Sequence, residues 1–92
     1  MKITFSKRAR KFFEAQDVLT RQRLMKGIDG LAQKPPVGDI LIMQGYSDGR
    51  LRLRIGKYRI IYRYIQDGCI EILHIMDIDV RGDIYKHHTR RD

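Results

Sequence analysis

Cysteine is nearly missing from this 92-residue chain, with Cys69 the single example. That excludes a disulfide framework and a cysteine-based zinc site, and it makes the cytoplasm the expected compartment. Acids are also scarce. Eleven Asp and Glu stand against 19 Lys and Arg, for a formal net charge of +8. So short and basic a chain is expected to meet a polyanion. No segment approaches the length of a transmembrane helix. The opening Met1-Lys2-Ile3-Thr4-Phe5-Ser6 turns charged and polar too soon for a signal peptide. Internal repeats, linkers and low-complexity segments are absent. With 42% hydrophobic residues, residues 1–92 are expected to form one small domain with one modest core.

What the chain does have is a basic stretch from Arg50 to Ile65. Six basic residues and no acid lie between Arg50 and Arg63. Arg50, Arg52 and Arg54 alternate with Leu51, Leu53 and Ile55, the period of a strand with one dry and one wet face. Gly56-Lys57 reads as a tight turn, and the return strand, rich in aromatic and β-branched residues, runs on to Ile65. Arg59 and Arg63 join the face of Arg50, Arg52 and Arg54 if Ile60, Tyr62 and Tyr64 point inward. Like charges side by side on a sheet repel, so this face reads as a phosphate-binding surface rather than a solvated one.

The remaining elements frame that hairpin. Lys2 to Phe5 predicts a first strand, and Ser6 caps a helix carrying Ala9, Phe12 and Phe13 at helical spacing. Lys7, Arg8, Arg10 and Lys11 decorate that helix. Asp17 or Thr20 opens a second helix with an apolar stripe at Leu24, Met25, Ile28 and Leu31. Gly27 and Gly30 weaken it, so packing must hold it. Pro35-Pro36 ends it. Ile40 to Met43 reads as a short edge strand or extended segment. After the turn Gln66-Asp67-Gly68, the apolar run Cys69 to Met76 predicts a central strand. Asp77 and Asp79 alternate without further ligands, too little for a metal site. His74 reads as an ordinary strand residue. The expected fold is α+β: two N-terminal helices on one face of a mainly antiparallel four-stranded sheet, with an open basic face on the other side.

Nearly end to end, the chain resembles the RelE/ParE superfamily of toxins from type II toxin–antitoxin systems. The resemblance rests on the element order, the proline-rich helix exit, and Gly45-Tyr46-Ser47-Asp48 leading into Arg50-Leu51-Arg52-Leu53-Arg54. It rests further on Tyr58-Arg59-Ile60-Ile61-Tyr62 and Arg81-Gly82-Asp83-Ile84-Tyr85. Those motifs serve two branches: RelE-like toxins, which cleave mRNA in the ribosomal A site, and ParE-like toxins, which poison DNA gyrase. The resemblance implies a cognate antitoxin with an acidic or amphipathic segment, ribosome and mRNA as targets, and operator DNA bound only through the toxin–antitoxin complex. It implies no cofactor and no membrane partner.

For the RelE-like branch, the resemblance carries catalytic roles onto Arg50, Arg52, Arg59 and Tyr85, with Arg81 and His87 in the same tail. Arg54, Lys57 and Arg63, and Lys7 and Arg8 on the first helix, supply further RNA contacts. This chain departs from the family pattern in three ways. Its strand pair is arginine where lysine is common, Asp79 stands where a further arginine is expected, and Val80 stands where many relatives have histidine. Metal-free RNA cleavage needs a base for the 2′-OH proton, cations for the phosphorane and an acid for the leaving 5′-oxygen. Arginine serves the middle need but not the first, since it does not deprotonate. The base therefore falls to Tyr85, His87, His88 or Lys57, and Tyr85 is favoured as proton carrier. The ParE-like alternative cleaves nothing. A plain RNA-binding module would show exposed aromatics for base stacking, which this sheet face lacks. Single-turnover cleavage on programmed ribosomes is expected to fall roughly a hundredfold or more in Tyr85→Phe. Cleavage within a few fold of wild type in Tyr85→Phe, with His87→Ala inactive, would move the role to the histidine.

Overall fold

The computed structural model describes residues 1–80; Arg81, Tyr85 and His87 lie outside the described residues. The chain runs β1 (Lys2–Phe5), α1 (Lys7–Glu14), α2 (Val18–Leu31), β2 (Asp39–Ile42), β3 (Leu51–Ile55), β4 (Tyr58–Asp67) and β5 (Ile70–Val80). Both helix starts use the side chains their sequences offer. Ser6 Oγ accepts from the Ala9 amide at 3.0 Å and donates to the Met76 carbonyl at 2.6 Å, which caps α1 and ties it to β5. Asp17 Oδ1 accepts from the Thr20 amide at 3.2 Å and opens α2.

The sheet has five strands in the order β1-β5-β4-β3-β2, where four were expected. The fifth is the segment beginning at Asp39, which pairs with β3 and becomes an edge strand. β1 runs parallel to β5 and every other pair is antiparallel. β5 lies between β1 and β4, as its apolar run predicted, but it extends to Val80. A bulge at Ile61/Tyr62 leaves Met76 without a register partner on β4. It changes the alternation along β5, so that Leu73, Ile75 and Ile78 all join the core while Asp77 and Asp79 emerge on the opposite face.

The core lies between that sheet and the helices. Leu24, Ile28 and Leu31 of α2 and Ala9 of α1 meet Leu53, Ile60, Tyr62, Leu73 and Ile75, all 2% exposed or less. The two helical glycines are close-approach positions: a Cβ on Gly27 would collide with Ile55, and one on Gly30 would press on the Val37 carbonyl. Tyr64 Oη donates to the Leu31 carbonyl at 2.7 Å, satisfying a carbonyl that the helix end leaves open. This core fixes which face of β3 and β4 remains for arginine. Ile28→Ala is expected to cost ~2–5 kcal/mol in urea denaturation, while Leu19→Ala, at a 73%-exposed position, changes stability by less than ~0.5 kcal/mol. Equal stability of the two variants would contradict this packing.

Candidate functional site

The face of the sheet away from the helices is built by register. Arg54 lies opposite Arg59 and Arg52 opposite Ile61 across β3 and β4. Arg59 in turn faces Asp79, Ile61 faces Asp77, and Arg63 faces His74 across β4 and β5. Asp39 and Leu41 of β2 lie opposite Arg54 and Arg52. Cross-strand neighbours share a face, so Arg52, Arg54, Arg59 and Arg63 are brought together, as the alternation predicted.

The openness expected of this face is not found. Arg52 is 8% exposed, Arg59 4% and Asp77 2%, and Ile61 among them is fully buried. β3 and β4 are interior strands, so their arginines have neighbours on both sides, and long aliphatic stems lie down on a sheet that carries Ile61 at its centre. Arg54, nearer the edge, keeps half its side chain in water.

A buried guanidinium keeps its proton, and its donors need acceptors. Among the described residues, the Nε donors of Arg52, Arg59 and Arg63 are buried without a hydrogen-bond partner. Among the described residues, Arg59 Nη1 donates to the Gly56 and Tyr58 carbonyls, each at 3.4 Å. Asp39 supplies carboxylate oxygens to Arg54 Nε at 2.6 Å and to Arg52 Nη2 at 3.5 Å. Buried polar groups are nearly always satisfied, so three unpartnered buried Nε donors on one face are an uncommon concentration of unmet hydrogen-bonding capacity.

Arg50 has a different setting. Asp48 accepts from its Nη2 at 2.6 Å and from its Nε at 3.1 Å, and the guanidinium carbon lies 4.2 Å from the centre of the Tyr46 ring. This loop clamp holds the Asp48 carboxyl at about 2, chiefly through the hydrogen bond to Arg50, with Arg63 adding to the pull. His74 is shifted down by burial first and by Arg63 second; its Nδ1 and Thr4 Oγ1 share a hydrogen bond at 2.8 Å. The Tyr62 phenol, inside the core, is pushed up by burial.

The other predicted contacts lie apart from this cluster. Lys7 and Arg8 are on α1, in the layer behind the sheet. Lys57 is exposed at the β3–β4 turn, with Nζ 5.4 Å from the Tyr58 ring centre. Arg81, Tyr85 and His87 fall outside the described residues. Among the described residues no three His, Cys, Asp or Glu side chains gather to hold a metal ion, and no helix is long and apolar enough to cross a membrane. Sequence reasoning missed Asp39 as a partner of the arginines. Its only signal is its place at the start of β2, and the β2–β3 register that uses it depends on the loop between them. Asp48 was legible as a turn residue, two positions before Arg50.

Residues 3–79 match the family model described as the ParE toxin of the type II toxin–antitoxin system, parDE. No curated protein matches the chain significantly. Among solved structures, the YoeB/ParE toxin from Agrobacterium tumefaciens superposes with a TM-score of 0.73 at 18% identity, over 88% of this chain and 99% of that one. RelE in the archaeal RelE–RelB complex from Pyrococcus horikoshii gives 0.66 at 21% identity, over 88% and 94%. The isolated E. coli RelE toxin gives 0.65 at 20% identity, over 98% and 96%. At these identities the likeness is one of fold.

The Asp48 clamp makes an acid-side prediction. Its carboxyl titrates below its ordinary value of 3.8, so its stabilisation is complete above that pH and is lost as the pH falls toward about 2. Asp48→Asn is expected to be less stable than wild type at pH 5 and to close the gap by pH 2, read by urea denaturation. A gap that stays constant with pH would show that the clamp does not depend on charge.

Proposed function

The chain belongs to the ParE toxin family of type II toxin–antitoxin systems, and from that premise we propose that its arginine face binds RNA phosphates and cleaves mRNA on the ribosome. The observation that carries this reading is the group of buried, unpartnered Nε donors on Arg52, Arg59 and Arg63. Each is a fixed cation in a poorly hydrated setting, where its pull on an anion exceeds that of a solvated side chain. Developing charge on a phosphorane is what such donors stabilise best.

In the proposed reaction the 2′-oxygen attacks the adjacent phosphorus and the bond to the 5′-oxygen breaks. The 2′-hydroxyl proton passes to a base, and the leaving 5′-oxygen takes a proton from an acid. The products are a 2′,3′-cyclic phosphate and a 5′-hydroxyl. Arg52 and Arg59 hold the phosphorane oxygens, Arg63 and Arg54 hold flanking phosphates, and Arg50 positions the loop that carries Asp48. Tyr85 is the proposed proton carrier, with Arg81 and His87 as further proposed catalytic residues. The enzyme works in the cytoplasm, and a cognate antitoxin covers the basic face, in keeping with RelE relatives solved with RelB.

A second reading has its own support. Asp39 is bonded to Arg54 and Asp79 is in register with Arg59, and neither member of the strand pair is lysine. A face partly neutralised from within suits a ParE-like inhibitor that binds gyrase and cleaves nothing. Induction followed by primer extension separates the two. Frame-dependent cuts in translated mRNA, abolished by Arg59→Gln at equal expression, are expected. Intact mRNA with induction of the DNA-damage response would overturn the ribonuclease and select the gyrase inhibitor.

A further inference from the structure

Asp39 reaches two guanidiniums of the arginine face at once, and it shares its oxygens in an unexpected order. Its short bond, 2.6 Å, goes to Arg54 Nε, on a side chain that is 49% exposed. Its long contact, 3.5 Å, goes to Arg52 Nη2, on a side chain that is only 9% exposed. An acid serving to compensate a buried cation would do the reverse, because the desolvated charge has more to gain. Arg52 is instead left with a distant carboxylate and an open Nε. Asp39 itself is 45% exposed on an edge strand, where its carboxylate can rotate into water at little cost.

We propose that Asp39 is an intramolecular stand-in for a ligand phosphate, a specificity-determining residue that occupies the anion position between Arg52 and Arg54. The inference rests on the reading of this face as phosphate-binding. At the Arg52–Arg54 position a lone small anion must displace Asp39 and gains no other contact in exchange. A polynucleotide can set further phosphates against the Arg59 and Arg63 guanidiniums as well, so its gain exceeds the loss of the Asp39 bonds. The carboxylate thereby selects for consecutive phosphates over free ones. It also lowers affinity for every anion, through one negative charge held close to the site.

The test uses the purified full chain and a short single-stranded RNA methylated at every 2′-oxygen, which binds without being cleaved, with inorganic phosphate as a second probe. At low salt, Asp39→Asn is expected to bind the RNA about tenfold more tightly than wild type, the effect of removing one charge a few ångströms from a phosphate. Its proportional gain for inorganic phosphate should be larger still. Asp39→Glu, which keeps the charge, should stay near wild type. Circular dichroism confirms that each variant is folded, and Arg52→Gln and Arg63→Gln provide the control. If those two weaken RNA binding but Asp39→Asn does not tighten it, the stand-in role is overturned and the phosphate face stands. If neither arginine variant weakens binding, the phosphate face fails and the inference falls with it.

Discussion

An arginine that can neither lose its proton nor reach water has to find an anion, and this constraint organises the described half of the molecule facing away from the helices. Arg52 and Arg59 occupy interior strands, where neighbouring strands and the buried Ile61 take their water away. Desolvating such charges is costly unless they are paired and hydrogen-bonded. The fold offers partial compensation through Asp39 at one edge, with Asp77 and Asp79 in register from β5. The compensation stops short: among the described residues, three buried Nε donors keep no hydrogen-bond partner.

The dry side of the sheet makes the wet side possible. Leu53, Ile60 and Tyr62 press on α2 and hold β3 and β4 in one register. A slip of one residue would turn every arginine into the core. The β5 bulge adds a second layer of control, because it keeps Ile75 and Ile78 inward while delivering Asp77 and Asp79 to the arginine side. Gly27 lets α2 approach β3 closely enough for this packing. Core and site are thus two consequences of one alternation, interrupted once.

Much of this was legible beforehand because local chemistry and long-range structure agree. Ser6 and Asp17 cap their helices as their side chains allow, Gly56 turns the hairpin with φ +56°, and the parity of Arg52, Arg54, Arg59 and Arg63 survived intact. What was not legible has a common origin in pairings between distant segments. That the edge segment read at Ile40 to Met43 begins at Asp39 and pairs as a fifth strand, and that the Asp39 carboxylate meets Arg54, depends on a loop whose geometry no local pattern dictates. The burial of Arg52 and Arg59 likewise comes from being interior to a sheet, and alternation alone cannot separate a crowded polar face from an open one. The bulge was hidden in the same way: apolar residues on both parities of β5 read as two covered faces, when part of the pattern is one face with a shifted phase.

The most direct measurement is a titration of the arginine Nε–H resonances of the isotopically labelled chain with uncleavable single-stranded RNA. If the open donors form the anion site, the Nε–H signals of Arg52, Arg59 and Arg63 shift together and saturate, while that of Arg10 on α1 moves little. Saturating shifts at Arg10 with the three sheet signals unmoved would contradict it, and would place the RNA contact on the helical side of the molecule.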